Sequence, residues 1–321
     1  MRMMRNEKGF ALLMVLWITT ILMVVSLSFS IMTKTETHAA LSFKEGTGKR
    51  FIAEAGVQRA IMELLHRGVY KNKQPVLEGN EPVRVDGTRY TGLLGDDRYV
   101  FDIVDESGKI NLNSLTDRSG VVMSNLLVNL GVKREDADAI ADAVLDWKDG
   151  DELRRLHGAE SDYYMSLPNP YRSKNGAFDT VEELLMVKGM TPEILYGKSR
   201  RPGIFDFVTV RARGGGINVN SAPREVLAAL PGMTDEAVNR VMEFRGLAEI
   251  RSQEEMRAAA GRGFALMSPF IGFSEANIYT VTATGYRKDE KHGFTVKAGI
   301  MVEGSGKYRC TYYKSPAGST R

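Results

Sequence analysis

Five carboxylate side chains near residue 150 form the group in this chain that could bind a metal ion. They follow the apolar-periodic segment 139–145 and flank Gly150, where we expect a helix to end. Ca²⁺ takes about six to eight oxygen ligands, supplied by carboxylates and by carbonyls of irregular backbone. The spacing is not that of an EF-hand. The candidate ligands are Asp146, Asp149, Asp151, Glu160 and Asp162.

A solvated acidic surface is the alternative interpretation of the same residues. Arg154, Arg155 and Arg172 lie close in sequence and could pair with these carboxylates. Surface ion pairs of this kind are common and need no bound cation. Both interpretations stay open when only the residues are considered.

Residue patterns typical of enzyme active sites are missing from the sequence. Cys310 is the single cysteine, so no internal disulfide or thiolate zinc cluster is expected, and we predict that its thiol is buried. Residues 46–49 match a phosphate-binding loop only in part, because neither Ser nor Thr follows Lys49. The histidines are scattered outside any H-E-x-x-H motif, at His38, His66, His157 and His292. We therefore predict that the protein is not an enzyme and binds no cofactor other than Ca²⁺.

The elements that must position these groups begin with an apolar segment at residues 10–32. This segment contains no charged residue and no histidine, and it is about long enough to cross a bilayer as a helix. Basic residues before a membrane helix place that end in the cytoplasm. We therefore predict a cytoplasmic N-terminus and an external chain after Thr33, from the basic residues Arg2, Arg5 and Lys8.

Three interpretations of this start compete: a signal peptide cut near Ser28–Ser30, a plain signal anchor, and a prepilin. In a prepilin the cut lies before the apolar segment. The sequence around Gly9 and Phe10 resembles such a peptidase site, with a charged leader, a glycine and an aromatic first mature residue. The sequence favours the prepilin, with cleavage between Gly9 and Phe10.

The fifth mature residue would then be Met14, where pilins of this class usually carry Glu. A carboxylate at the bilayer centre costs about 2.5–3.5 kcal/mol on insertion scales and needs a partner. In pilins this partner is thought to be the N-terminal amine of a neighbouring subunit. Met14 avoids the cost and cannot make the contact, which suits a subunit at the tip of a fibre.

The helical pattern continues beyond the membrane segment to Gly68, which follows Arg67 as a helix-ending glycine. The apolar residues expected on one face are Phe51, Ile52, Ala55, Ala60, Ile61, Leu64 and Leu65. A hairpin with its turn at Asp86–Gly87 is predicted next. Further strands are predicted at 99–104, 278–283, 293–298 and 308–313.

The middle of the chain contains a weakly repeated pattern. Residues 110–145 and 217–242 each read as a strand end, a short helix, a glycine turn and a second helix, and 181–192 is a partial copy. These units resemble helix-hairpin-helix modules, which many DNA-binding proteins use. An exported, membrane-anchored DNA-binding protein of the competence type is therefore an alternative function.

Two features argue against nucleic acid. The turns begin Gly189-Met-Thr and Gly232-Met-Thr, without the second glycine of a phosphate-binding turn, and acidic residues follow them. The net charge of +3 comes partly from the leader, so the external part is close to neutral. Phosphate binding needs a local basic excess. We expect no nucleic-acid partner.

Several segments in order along the chain resemble the general secretion pathway protein K family, the large minor pseudopilins of type II secretion systems. They accompany a prepilin-like start without a Glu at the fifth mature position. The matching segments are 110–113, 141–149, 158–164, 170–172 with Asn175, 182–193 and 217–223.

This resemblance implies an α+β, type IV pilin-like fold: a long N-terminal helix packed on an antiparallel sheet, with a large inserted helical domain containing helix-hairpin-helix-like units. It implies a structural subunit at the tip of a periplasmic pseudopilus, needed to export folded proteins across the outer membrane. The implied partners are I-, J- and H-type minor pseudopilins, the prepilin peptidase and the bacterial inner membrane, which the chain would cross once. It also implies N-methylation of Phe10 and bound calcium.

The sequence therefore predicts five parts in the chain. They are a leader at 1–9, an N-terminal helix at 10–68, a first β part at 69–106, a helical insertion at 107–274 and a second β part at 275–321.

Overall fold

The computed structural model describes residues 7–70, 83–198, 201–212, 214, 216–288, 290–303 and 306–317. Most of the predicted leader lies outside these residues. The helices are α1 (Glu7–Tyr70), α2 (Gly120–Asn129), α3 (Arg134–Lys148), α4 (Ser161–Met165), α5 (Pro192–Tyr196), α6 (Arg224–Ala229), α7 (Asp235–Leu247), α8 (Gln253–Ala260) and α9 (Phe264–Met267). The strands are β1 (Asp86–Leu94), β2 (Asp97–Asp105), β3 (Ile110–Asn111), β4 (Gly197–Lys198), β5 (Arg201–Pro202), β6 (Val208–Thr209), β7 (Ile217–Asn218), β8 (Ile271–Gly272), β9 (Ile278–Tyr286), β10 (Phe294–Glu303) and β11 (Lys307–Lys314).

The long strands form one antiparallel sheet in the order β1-β2-β9-β10-β11. Strand β2 pairs with β9 although most of the helical elements lie between them in sequence. The long N-terminal helix α1 packs on this sheet. The predicted α+β class, with a long first helix on an antiparallel sheet, is confirmed.

Helix α1 packs on the sheet through a stripe of small and branched residues. The buried positions follow helical spacing and contact the inner face of β2, β9 and β10; they include Ala53, Val57, Ala60, Ile61 and Leu64. The prediction that Phe51 belongs to this face is wrong, since its side chain is 63% exposed. Residue 51 lies on the opposite side of the helix from residue 53.

The predicted turn at Asp86–Gly87 is also wrong. These residues begin β1, and the hairpin turns instead at Gly95–Asp96. Gly87 has φ of +87°, and the strand register shifts between Asp86 and Arg89. The Asp-Gly pair therefore supplies a bulge rather than a hairpin turn, because glycine meets the same backbone requirement in both.

The described residues contain two hydrophobic cores. One lies between α1 and the sheet, around Ile103, Val281 and Val296. The larger one lies among the helices and short strands of residues 110–273, around Leu126, Tyr164 and Leu227. The predicted division of the chain into five parts stays a prediction.

A buried carboxylate joins the sheet to the helical part. Asp105, at the end of β2, is fully buried and accepts hydrogen bonds from Ser107, from Asn218 Nδ2 at 3.0 Å and from Ser221 Oγ at 3.1 Å. The amide of Ala276 also donates to it, at 3.4 Å. These donors come from both parts of the fold, so the carboxylate fixes their relative position.

A second joint lies at the end of α1. Arg67 is 8% exposed, and its guanidinium pairs with Glu249 and, at 2.7 Å, with Glu275. Tyr279 Oη donates to the second oxygen of Glu275 at 2.6 Å. Burial alone would lower the pKa of Arg67, but the two carboxylates raise it. The last turn of α1 is therefore tied to residues beside α7 and β9.

The repeated pattern of the middle segment corresponds to repeated elements. In the first copy β3 precedes α2 and α3, and in the second copy β7 precedes α6 and α7. Strand β3 pairs with β6 and β7 pairs with β8, both in parallel. The turns of all three copies contain a glycine with positive φ, Gly131, Gly189 and Gly232. Their assignment as helix-hairpin-helix units stays a prediction.

Candidate functional site

Three of the predicted metal ligands converge between α3 and α4. Asp146 lies in the last turn of α3 and is fully buried. Asp149 follows that helix in extended conformation, and Glu160, 2% exposed, precedes α4. One carboxylate oxygen from each lies within 4.8 Å of the others, so one cation could contact all three. We call Asp146, Asp149 and Glu160 the acidic cluster.

Arg155 already contacts two members of the acidic cluster. Its Nη1 donates to Asp146 Oδ1 at 2.7 Å and to Asp149 Oδ2 at 2.6 Å. Its Nε donates to Asp117 Oδ1 at 2.7 Å. The backbone amide of Arg155 also donates to Asp146, at 3.3 Å. One guanidinium therefore offsets part of the charge of three carboxylates.

Several acceptor oxygens around the cluster remain unsatisfied within the described part of the chain. Both carboxylate oxygens of Glu160 and Oδ1 of Asp149 are buried without a hydrogen-bond donor. Oδ1 of Asn175 is in the same condition. Leaving a buried acceptor unpaired costs about 1–3 kcal/mol, and more for a charged group. These oxygens have the chemistry of ligands for a hard cation.

The pKa values of the acidic cluster indicate that its carboxylates are not fully balanced by positive charge. Burial, together with the charges of Asp146 and Asp149, raises the pKa of Glu160 to about 7. Burial also raises the pKa of Asp146, although Arg155 opposes that effect. A divalent cation would favour the ionised form of both groups.

Gly158 allows this arrangement by its lack of a side chain. A Cβ atom at this position would lie 1.8 Å from Oδ2 of Asp146. The loop between α3 and α4 therefore passes directly over the Asp146 carboxylate. Residues 158–164 were among the segments that carry the family resemblance, and this contact gives the glycine a physical role.

Asp151 and Asp162 lie outside the acidic cluster, so the prediction that all five carboxylates converge is wrong. Asp151 is exposed and accepts a hydrogen bond from the amide of Leu153 at 2.8 Å. Asp162 is exposed in the first turn of α4. The alternative interpretation of a solvated acidic surface fits these two residues and does not fit buried Asp146 and Glu160.

Asn175 is a potential ligand that sequence reasoning did not propose. Its amide donates to Trp147 O at 3.0 Å, and its Nδ2 donates to Glu152 Oε1 at 3.0 Å, which leaves Oδ1 unpaired. Its φ of +48° holds the residue in the left-handed region, where Asn is tolerated better than most residues. Its place in the matching segments was the one available signal.

The second candidate site is the first half of α1. Between Phe10 and Met32 the side chains are exposed, including Phe10 at 65% and Met14 at 56%. Among the described residues, α1 is the one helix long and apolar enough to cross a membrane. It is a candidate membrane anchor. The same exposed surface could pack against other helices.

The helix starts that follow two of the glycine turns are capped by threonine side chains. Thr234 Oγ1 accepts from the amide of Ala237 at 3.3 Å, and Thr191 Oγ1 accepts from that of Ile194 at 3.3 Å. Asp235 and Glu236 occupy the first turn of α7. These helix starts are capped internally and carry negative charge.

Cys310 differs from the sequence expectation. Its side chain is exposed on β11, at one edge of the sheet, rather than buried. The strand pattern of residues 308–313 was recognised, but β11 has a single sheet neighbour and little covers it. Within the described residues, the group able to hold a metal contains no cysteine or histidine.

Comparisons with known proteins agree with the resemblance. The model of the family described as type II secretion system (T2SS), protein K matches residues 108–197. Type II secretion system protein K of Pseudomonas aeruginosa is 26% identical over 267 residues, covering 79% of this chain and 77% of that protein. The protein of the same name from Pectobacterium carotovorum is 36% identical over 113 residues, 34% of each chain.

One solved structure extends the likeness to most of the fold. It is the crystal structure of the GspK-GspI-GspJ complex from the enterotoxigenic Escherichia coli type 2 secretion system. The match has a TM-score of 0.59 at 17% identity and covers 87% of this chain and all of that one. None of these relatives supports the alternative of an exported DNA-binding protein. Taken with the ordered segments, the long exposed helix and the sheet split by a helical part, the comparisons show that this chain is similar to type II secretion system protein K over most of its length, and they support a minor pseudopilin of type II secretion.

Proposed function

We propose that this minor pseudopilin is the tip subunit of a periplasmic pseudopilus. The observation that carries the proposal is the construction of α1. An exposed apolar half continues without interruption into a half that packs on the sheet. The first half needs lipid or other apolar helices around it. The second half fixes the direction of the helix relative to the head, by which we mean the sheet and the helical part of residues 110–273.

The charges before the apolar segment and the length of that segment support one topology. We propose a cytoplasmic N-terminus, a single crossing of the inner membrane by residues 10–32 and a periplasmic head. Prepilin peptidase would cut between Gly9 and Phe10, and the new amine of Phe10 would be methylated. Cleavage removes the charged leader, so the apolar half of α1 can leave the bilayer and join a helical bundle.

The tip position is supported by Met14. A pilin-like subunit with a carboxylate at this position pairs with an amine on a neighbour, whereas the uncharged thioether of Met14 cannot form this pair. The helical part of residues 110–273 has its own core and adds bulk to the head. Both features suit a subunit that begins a fibre and has no subunit above it.

We propose I-, J- and H-type minor pseudopilins as partners in a tip complex. The support is the structural relative, which was crystallised with GspI and GspJ. With this head at its end, the pseudopilus would act in export of folded proteins across the outer membrane. The fold has the features of a structural subunit, and we infer no enzymatic step.

We also propose that the acidic cluster binds Ca²⁺ as a structural ion. Asp146, Asp149 and Glu160 would hold it, and the orphan oxygen of Asn175 is the fourth candidate ligand. The ion would supply the positive charge that Arg155 does not, and it would fix the loop between α3 and α4. All these donors are hard oxygens on irregular backbone, as calcium prefers.

Mass spectrometry of the protein extracted from membranes tests the processing and the topology. We expect a mature N-terminus at Phe10, methylated, when the cell contains prepilin peptidase, and the intact leader when the peptidase gene is deleted. Intact Met1 in the presence of the peptidase would refute the prepilin assignment. Co-extraction with tagged I- and J-type pseudopilins of the same system tests the tip complex, and recovery of the chain alone would contradict it.

Calorimetric titration of the full chain in detergent tests the calcium site. We expect Ca²⁺ to bind and to raise the melting temperature, and Glu160→Gln to weaken binding at least about tenfold because a charged ligand is lost. Asp151→Asn is the matched control, since this carboxylate lies outside the cluster. No thermal shift at millimolar calcium would refute the site.

A further inference from the structure

The side chain of Arg155 contacts carboxylates at two places, one in the acidic cluster and one at the surface. Its Nη1 reaches both Asp146 and Asp149, while its Nε reaches Asp117. Asp146 is fully buried, but the Asp117 side chain is 78% exposed. Loss of the Nη1 contacts would therefore free two oxygens of the acidic cluster, and the Nε contact could still hold the guanidinium nearby.

The charges of the cluster are balanced only in part. Arg155 contacts two of the three carboxylates, and both oxygens of Glu160 remain buried without a donor. The amide of Arg155 and the Gly158 backbone fix Asp146 from the loop side. The chain therefore holds the carboxylates in place with one monovalent cation, where a small divalent ion would satisfy more oxygens.

We propose that Arg155 is an exchangeable counter-cation of the calcium site. It holds Asp146 and Asp149 together when no divalent ion is bound and releases both oxygens to Ca²⁺ when the ion enters. Asp117 then retains the guanidinium at the surface. This inference rests on the calcium site of the proposed function and assigns its regulation to a residue that is not a ligand.

Competition of this kind has two consequences of opposite sign. Arg155 stabilises the calcium-free fold, because it prevents repulsion between buried carboxylates. It also weakens calcium binding, because its contacts must be broken first. A residue that simply shaped the site would strengthen both the fold and the binding. The two roles can therefore be separated by one substitution.

The test compares Arg155→Gln with Arg154→Gln in the full chain. Arg154 is the adjacent exposed arginine, and in the described part of the chain it forms no ion pair. Calcium affinity is measured by calorimetry and by the fluorescence of Trp147, in a Trp17→Phe background that leaves it as the one tryptophan. Trp147 follows Asp146 directly and packs edge-on against Tyr164 at 5.2 Å.

We expect Arg155→Gln to bind Ca²⁺ about tenfold more tightly, since a competing unit charge is removed from the site. Its calcium-free melting temperature should fall by several degrees, and saturating calcium should restore it. Arg154→Gln should match the wild type in both measurements. Arg155→Lys, which keeps the charge but loses the planar fork, should fall between wild type and Gln.

Unchanged or weaker calcium binding by Arg155→Gln would overturn the proposal. If that variant does not fold, weaker or unchanged binding by Arg155→Lys overturns it equally. Absence of calcium binding by the wild type would overturn the calcium site itself together with this inference. Wild-type binding with an unaffected Arg155 variant would leave the calcium site standing and reject only the exchange.

Discussion

At the scale of single residues, the acidic cluster is built by burial and close approach rather than by a recognisable motif. Asp146 lies on a helix, Asp149 at its end and Glu160 beyond a loop, so no fixed spacing relates them. Gly158 is the residue that lets the loop pass over Asp146. The site therefore depends on a glycine that carries no ligand atom.

Gly158→Ala should displace the Asp146 carboxylate and weaken calcium binding about tenfold or more, because the new Cβ would overlap Oδ2. Gly150→Ala is the matched control, since a Cβ there meets no atom within 4 Å. Calorimetric titration of both variants measures the difference. Equal affinities would mean that the loop can move away without loss of the site.

The stability of the fold should also depend on the protonation of Asp102. Burial raises its pKa from 3.8 to about 6, although Arg89 and Lys297 oppose the shift. Between these values the folded chain keeps a proton that the unfolded chain has lost. The contribution of protonated Asp102 to the free energy of unfolding is therefore full below pH 3.8 and is lost as the pH rises through about 6.

Asp102→Asn should remove this pH dependence, because the amide does not titrate. Relative to wild type, the variant should become more stable as the pH is raised from about 4 to 7. Urea unfolding at several pH values measures the difference, with exposed Asp96→Asn as the control. A constant difference between wild type and Asp102→Asn across this range would contradict the assignment.

At the scale of elements, the end of α1 is fixed by charge as well as by packing. Arg67 connects α1 to Glu249 and Glu275, while Arg59 on the same helix has a side chain that is 53% exposed and pairs with Glu63 one turn away. A buried guanidinium that pairs with carboxylates is sensitive to substitution, because a carboxylate that stays buried then loses its counter-charge.

Arg67→Met should lower the free energy of unfolding by about 3 kcal/mol, since it leaves Glu275 buried beside Tyr279. Arg59→Met should change it by less than about 1 kcal/mol, as surface pairs do. Urea denaturation of the full chain in detergent compares them. Similar losses in both variants would show that the buried ion pairs add nothing beyond a surface pair.

Some helices and strands could be predicted from the sequence, whereas one turn could not. The apolar segment at residues 10–32 and the strands near 281, 296 and 310 were predictable, because periodicity and length reflect burial directly. The conformation at Asp86–Gly87 was not predictable, since a bulge and a hairpin turn both use a glycine with positive φ. For the site, the sequence supplied the carboxylates, but it could not tell which side chains turn inward.

At the scale of the whole molecule, the sheet and the helical part have separate cores joined at a few polar contacts. Asp105 is the most buried of these, with donors from both sides. The segment around Asn218 and Ser221, one of those that carry the family resemblance, thus supplies donors that connect the helical part to the sheet. Sequence alone could not reveal this role, because the partner carboxylate lies far away along the chain.

Asp105→Ala should lower stability by about 2–4 kcal/mol and weaken the coupling between the two cores, because several buried donors lose their acceptor. Hydrogen exchange should then show the strands around Ile103 and the helices around Leu126 opening with different free energies. Exposed Asp136→Ala is the control. Identical exchange behaviour in both parts of the Asp105 variant would refute the joint.

Helix α1 runs from Glu7 to Tyr70 without a proline or a break, and the part that cleavage before Phe10 would leave is about 92 Å long by the rise of an α-helix. A hydrogen-bonded rod of this kind transmits axial load with little compliance. A push delivered to its membrane end would therefore reach the head as translation rather than be absorbed in a hinge. Because Arg67 and Asp105 connect α1, the sheet and the helical part, these parts would move together over the same distance as the helix.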